Sequence, residues 1–279
     1  MSVLDCKAVK ETILKEIREE LTTISVRPKM AIVQVEGDKA SSIYVRNKAK
    51  LAHDLGIDCE VIELPNDTKQ ETLNVLIDML SKNHEVDGII LQLPLPKHLN
   101  SDEALGYLIA EKDLDGLTTR QQGYVTTADY QKALIPATPS GVIRLLEFND
   151  INLEGMDVVV VGRSRLFGVP MAKLLMDKNA TVTICHSRTK DLKEKTKNAE
   201  LVVVAVGQPL MLDSSYFSDK TKYVIDVGIN LVNGKMKGDV NVETLQEHIY
   251  YTITPGGTGQ LTVPSLLLNA VKSHKRRRA

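Results

Sequence analysis

The sequence predicts an α/β protein of two domains, each a parallel sheet covered by helices on both faces. Two observations predict it. Strand-length runs that are almost wholly apolar, such as "MAIVQVE", "DGIILQLPLP", "DVVVV" and "AELVVVAVG", alternate with segments of helical period. Strands read this way when helical crossovers cover both of their faces. The length, 279 residues, suggests two domains or one large one.

The elements follow in order. "VKETILKEIREEL" places Val9, Ile13, Ile17 and Leu21 on one stripe and is a helix. "MAIVQVE" is a strand, and the helix around Tyr44 follows with Ser41 or Ser42 as its cap. "CEVIELP" is a second strand. "TKQETLNVLIDML" is a helix opened by a capping box from Thr68 to Glu71. "DGIILQLPLP" is a strand and "SDEALGYLIAE" a capped helix. The long polar stretch "KDLDGLTTRQQGYVTTADYQKALIPA" has little periodicity, and such loops are often functional. "TPSGVIRLLEFND" begins a helix with Thr138 as cap and Pro139 in the first turn. That helix marks the domain boundary. Beyond it come strand, glycine turn, helix and strand, two further buried strands, and a glycine loop leading into a final amphipathic helix.

Composition excludes several classes. Thirty-five basic residues against 36 acidic give no case for nucleic-acid binding. The basic end "SHKRRRA" reads as a solvated, frayed helix terminus. Cys6, Cys59 and Cys185 are far apart and unpaired in spacing, as expected of reduced thiols in a cytoplasmic protein. The N-terminus has no apolar signal core, and no stretch approaches a membrane span. Six histidines form no HExxH and no zinc spacing, so no metal is expected.

"VVVVGRSRLFGVP" puts Gly162 at a strand end and Gly168 at a helix start. Glycine there lets the backbone approach a pyrophosphate facing the helix N-terminus. Ser164 replaces the second glycine of GxGxxG, and taken alone such a turn is often just a tight connection. Its place in a complete strand–helix–strand unit favours a Rossmann-type dinucleotide domain. The next strand ends in His186-Ser187-Arg188, with no acid to hold a ribose 2′-hydroxyl. Ser187, Arg188 and Arg163 would instead suit a 2′-phosphate, which favours NADP over NAD. The bland alternative is that both arginines are solvated.

In "SSIYVRNKAKLAHDLG", projection at about 100° per residue sets Val45, Ala49, Leu51, Ala52 and Leu55 on one apolar arc. Tyr44 and Lys48, one turn apart, fall inside it. An isolated lysine there would ordinarily snorkel to the edge. An amine held in apolar surroundings is instead a usable proton carrier, because burial favours its neutral form. Gln92, the polar side chain within the run "IILQLPLP", is its candidate uncharged partner. Tyr-x-x-x-Lys also marks short-chain dehydrogenases, but there the pair follows the nucleotide loop rather than preceding it.

Taken together, "YVRNKAK", "DGIILQLPLP", "EKDLDGLTT", "PATPSGV", "VVVVGRS", "GVPMAKLL", "ATVTICHS", "VVVAVGQP", "VIDVGIN", "GDV" and "TPGGTGQLT" resemble, in order and spacing, the bifunctional methylenetetrahydrofolate dehydrogenase/cyclohydrolase family. The resemblance covers almost the whole chain. It implies NADP-dependent oxidation of methylenetetrahydrofolate and hydrolysis of the methenyl product in one site, by a cytoplasmic homodimer of one-carbon metabolism. Lys48 would be the acid/base of the hydrolysis, Tyr44 would pack on the folate, and Gln92 would hydrogen-bond Lys48. Asp115 would bind the pterin edge, with Leu93, Pro255, Gly256, Gly257 and Gly259 lining the folate side. Gly162, Arg163, Ser164, Ser187, Arg188 and Ile229 would contact the dinucleotide. The folate-binding catalytic domain is expected at 1–138 plus 258–279 and the Rossmann-like domain at 139–257, with the cleft between them. Departures from the family pattern are Ile253 and Thr254 where Pro and Val are common, Gln260-Leu261 for a usual Pro-Met, and Ala137 where cysteine is frequent. The rivals are a shikimate-like dehydrogenase and a non-catalytic dinucleotide sensor.

Overall fold

The structure is a computed structural model and describes residues 2–37 and 39–278. In chain order the elements are β1 (Ser2–Val3), α1 (Cys6–Thr22), β2 (Lys29–Val35), α2 (Lys39–Asp54), β3 (Asp58–Leu64), α3 (Gln70–Lys82), β4 (Gly88–Leu91), α4 (Ser101–Leu105), α5 (Thr119–Thr126), α6 (Ala137–Phe148) and β5 (Asp157–Val161). They continue with α7 (Gly168–Asp177), β6 (Thr181–Cys185), α8 (Leu192–Lys197), β7 (Leu201–Val204), β8 (Tyr223–Asp226), β9 (Asn230–Val232), β10 (Lys235–Lys237), β11 (Tyr250–Tyr251) and α9 (Gly259–Arg278). The chain forms two compact units, one of Met1–Thr12 with Pro136–Ser265, the other of Ile13–Ile135 with Leu266–Ala279. The first dozen residues group with the larger sheet rather than with the expected span 1–138, because β1 pairs in parallel with β11 at that sheet's edge.

The smaller unit is built on a parallel sheet of order β3-β2-β4. Ala31, Val33 and Val35 of β2 pack against Leu73 and Ile77 of α3. Period-two alternation puts Met30, Ile32 and Gln34 on the opposite face, where α2 packs. The chain leaves β2 for β3 on one side and returns to β4 on the other, so the strand order reverses between β2 and β4.

Local capping departs from the expected pattern at several points. Thr68 does not cap α3. The cap position is Lys69, without a side-chain bond, and the Thr68 hydroxyl donates to the Pro65 carbonyl at 2.6 Å. Ser41 and Ser42 lie inside α2, which starts at Lys39. α4 is a single short turn capped by the Asn100 side chain, which accepts from the N–H groups of Asp102 and Glu103. The irregular stretch contains α5, capped by the Thr118 hydroxyl. Thr138 lies inside α6, which begins after Pro136, and its hydroxyl meets that of Thr262 at 3.0 Å.

The basic end is not frayed. Asp87, immediately before β4 and 1% exposed, accepts hydrogen bonds from His274 Nδ1 at 2.8 Å, Lys29 N–H at 3.0 Å, and Arg277 and Arg278 at 3.2 Å each. Burial pushes the Asp87 carboxyl up, but these hydrogen bonds outweigh it and hold the group below the usual range. Arg276 donates to the carbonyls of Tyr130, Lys132 and Ala133, and Ser273 to those of Asp87 and Glu111. The last turn of α9 is polar because it meets buried carbonyls and a buried carboxylate. Lys112, also 1% exposed, donates to the carbonyls of Leu80, Ser81 and Asn83 at the end of α3. Burial, reinforced by the Arg277 charge, brings its amine down to about 8.

The larger unit carries a six-stranded parallel sheet of order β1-β11-β8-β7-β5-β6. β5 and β7 are buried along nearly their whole length, and residues such as Val159, Val161, Val202 and Val204 join the core with Phe217, Val224 and Leu245. Here too the order reverses, between β5 and β7. Removing the Asp87 carboxylate takes the partner from the buried His274 and leaves Arg277 only the Val86 carbonyl. Asp87→Ala is expected to cost about 3–5 kcal/mol in denaturant unfolding, whereas Arg278→Ala, at the exposed rim of the cluster, costs under about 1 kcal/mol.

Candidate active site

In parallel sheets, ligands bind outside the carboxyl ends of strands where the strand order reverses. In the larger unit the ends of β5, β6 and β7 open onto a cavity of about 250 Å³, lined by Gly162, Arg163, Ser164, His186, Ser187, Ala205 and Val206 among others. Gly162 has φ +133°, and a Cβ on it would stand 2.5 Å from the Ala205 carbonyl oxygen. A Cβ on Gly168 would overlap the Gly162 carbonyl. Both glycines are therefore dictated by the closeness of strand end and helix start. The Ser164 hydroxyl accepts from Phe167 N–H at 3.2 Å, so this residue shapes the turn into α7. Among the described residues no carboxylate lines the cavity, while Arg163 and Ser187 do. This donor set fits a dinucleotide carrying a phosphorylated ribose. Arg188 is not among the lining residues, and its backbone N–H donates to His186 Nδ1.

Two buried aspartates brace the far wall. Asp239, 0% exposed, accepts from the N–H groups of Val206, Gly207 and Gln208 and from the Asn230 amide. Asp226, at the end of β8, accepts from Gly228, Asp239 and Val240. Side chains at Gly228 and Gly238 would overlap these two carboxyls. Burial pushes Asp226 up to about 6 despite its three backbone donors, with the Asp239 charge adding to the rise. Sequence reading did not find this brace. The available signal was an aspartate ending the apolar strand "VID" and another in "GDV".

The "TPGGTGQL" loop belongs to this same unit. Gly256 has φ +97°, and a Cβ on Gly259 would stand 3.1 Å from Ile229 Cδ1. Two departures from the family pattern tie the loop down: Thr254 donates to the Gly228 carbonyl at 3.3 Å, and Gln260 donates to the Gly256 carbonyl. Thr258 donates to the carbonyl of Asp226 at 3.1 Å.

In the smaller unit, Lys48 is 9% exposed and its Nζ donates to Gln92 Oε1 at 3.0 Å. The Gln92 Nε2 donates to the Leu93 carbonyl at 2.6 Å, which fixes the orientation of the amide. Gln92 follows the end of β4, at the reversal between β2 and β4. Burial pushes the Asp115 carboxyl up, with the Lys48 charge pulling it back. Its neighbours are spent structurally. Asp113 accepts from Thr118 N–H at 2.6 Å, and Leu114 packs where a Cβ on Gly88 would sit. The buried stripe of α2 is Ser41, Val45, Lys48 and Ala52. Tyr44 lies outside it at 42% exposed, a correction to its expected place in the apolar arc. Among the described residues no helix is long and apolar enough to cross a membrane.

These features define a class: a two-unit α/β protein, one unit a Rossmann-type nucleotide binder, the other presenting a buried lysine at its own strand reversal. Residues 4–115 match the family described as tetrahydrofolate dehydrogenase/cyclohydrolase, catalytic domain, and residues 136–278 the corresponding NAD(P)-binding domain. The bifunctional protein FolD of Clostridium novyi is 41% identical over 277 residues, covering 98% of this chain and 99% of that one. The solved structure of the Campylobacter jejuni FolD methylenetetrahydrofolate dehydrogenase/cyclohydrolase superposes with a TM-score of 0.94 at 39% identity, over 99% of both chains. The Trypanosoma brucei enzyme, solved with NADP cofactor and inhibitor, gives 0.92 at 33% identity, over 99% of this chain and 98% of that one. The chain belongs to the tetrahydrofolate dehydrogenase/cyclohydrolase family.

Asp226 ionises in the folded state only near pH 6, above the ordinary carboxyl range near 4. The folded form therefore holds a proton that the unfolded chain has released. This contribution to stability is fully present below about pH 4 and is lost as pH rises through about 6. Subtracting the unfolding profile of Asp226→Asn from that of wild type is expected to isolate a fall across that window.

Proposed function

We propose that this chain oxidises 5,10-methylenetetrahydrofolate to the methenyl form with NADP and hydrolyses that product to 10-formyltetrahydrofolate in one site. The observation that carries the reading is the hydrogen bond from the buried Lys48 to Gln92, in a chain whose residues 4–115 and 136–278 match the two domains of the family. When bound, NADP supplies the acceptor for the substrate's hydride.

The protein's own residues bind, orient and move a proton. Gly162, Arg163 and Ser164 hold the dinucleotide backbone, and Ser187 with Arg163 and Arg188 receives its 2′-phosphate. Ile229 packs against the cofactor. Asp115 has no hydrogen-bond partner among the described residues and is free to take two adjacent N–H donors of the pterin. Tyr44, exposed on α2, packs on the folate, while Leu93, Pro255, Gly256, Gly257 and Gly259 contribute apolar wall and backbone. The methenyl carbon is already electrophilic, so water needs only help with its proton. Lys48 takes that proton and returns it to the nitrogen that leaves as the ring opens. Gln92 accepts from Lys48 without adding charge and keeps the amine in place. The product feeds one-carbon metabolism and purine biosynthesis. We place the enzyme in the cytoplasm as a homodimer, with no nucleic-acid or membrane partner.

An absorbance assay with methylenetetrahydrofolate and each dinucleotide tests this. Lys48→Met is expected to lose about 10²–10⁴-fold in methenyl hydrolysis while keeping measurable hydride transfer; hydrolysis at the wild-type rate would overturn the role of Lys48. Arg163→Ala combined with Ser187→Ala is expected to raise the KM for NADP about tenfold or more beyond any rise in that for NAD. An equal rise for both would remove the 2′-phosphate assignment.

A further inference from the structure

Gln34 is 3% exposed and sits near the end of β2, the central strand of the smaller sheet. Its Nε2 donates to the Ser42 hydroxyl at 2.7 Å, in the first turns of α2. Its Oε1 is buried and receives no hydrogen bond from the described residues. Buried amide oxygens are rarely left so. The assignment of O and N within the amide does not matter here, because exchanging them leaves the other end unpartnered.

The strand register shows what this amide stands beside. Val33 pairs with Leu91, and the Gln92 N–H donates to the Val33 carbonyl at 2.9 Å. Gln34 and Gln92 are therefore the next pair across β2 and β4, flanking the strand reversal with side chains on the α2 face. Gln92 reaches α2 at Lys48, and Gln34 reaches it at Ser42. Six residues separate these anchors, about 9 Å along a helix. Between them lies Tyr44.

We propose that Gln34 is a positioning residue for Lys48: it pins the start of α2 to the sheet through Ser42, and its free amide end holds a water in the crevice beside Gln92. The inference rests on the reading of Lys48 as the proton carrier. The two amides fix α2 at two points, so neither slides nor rotates independently. Lys48 is assigned a proton only in the hydrolysis, so a small displacement of its helix is read in that activity. An isosteric apolar side chain would fill the volume and abolish both the anchor and the water.

The test compares Gln34→Met, Ser42→Ala and the double variant, with Lys48→Met alongside. Gln34→Met is expected to lower kcat for methenyl hydrolysis about tenfold, with its KM and the dehydrogenase kcat within about twofold. The Ser42→Ala effect should be smaller and non-additive with it, because the two side chains act as one unit. Hydrolysis unchanged in Gln34→Met, or both activities falling in parallel with the melting temperature, would overturn the inference. Should Gln34→Met not fold, Ser42→Ala is judged by the same ratio of activities. If Lys48→Met itself still hydrolyses, the functional reading fails. If Lys48→Met is inactive in hydrolysis and Gln34→Met is not impaired, only the positioning role fails.

Discussion

Both candidate sites depend on one constraint, the reversal of strand order in a parallel sheet. Helical crossovers cover the faces of such a sheet, so only the strand ends remain open. The connections after two neighbouring strands diverge where the order reverses, and a crevice remains. In the larger unit this occurs between β5 and β7 and forms the nucleotide turn. In the smaller unit it occurs between β2 and β4 and puts Gln92 against Lys48. The same topology thus builds a phosphate-facing backbone in one unit and a polar side-chain cluster in the other. The difference lies in what ends the strand: a glycine with φ +133° after β5, an amide after β4.

Much of this was legible in the sequence. Buried strands announce themselves by unbroken apolar runs, and the glycine turn by its place between strand and helix. Lys48 stood out because a charged residue interrupted an apolar arc, and Gln92 because an amide interrupted an apolar strand. Tyr44 lay at the margin of that arc, where a rotation of a few tens of degrees decides between inside and outside. It proved exposed.

What was not legible depended on partners far away in the chain. Lys112 and Asp87 look like surface charges until the carbonyls ending α3 and the last turn of α9 are brought to them. The tail "SHKRRRA" reads as solvated for the same reason: a run of charge has no periodicity to show that it faces a buried acceptor. Helix caps failed more locally. Thr68 satisfies the capping-box pattern, yet its hydroxyl is drawn to the Pro65 carbonyl, a choice between two nearby acceptors that spacing alone does not decide. The Asp226–Asp239 brace needed the approach of glycines 228 and 238, and so was visible only once the loops were assembled.

The clasp around Asp87 also bears on the order of events during synthesis. Asp87 emerges 187 residues before His274, an interval of about 10–40 s at ordinary elongation rates. Until then its carboxylate has only the Lys29 amide among these partners, and burying it would be costly. The β3-β2-β4 sheet can form early, but its charged floor must stay wet while the whole nucleotide-binding unit is made. The smaller unit, whose three strands are made before β5, is therefore closed only when α9 follows.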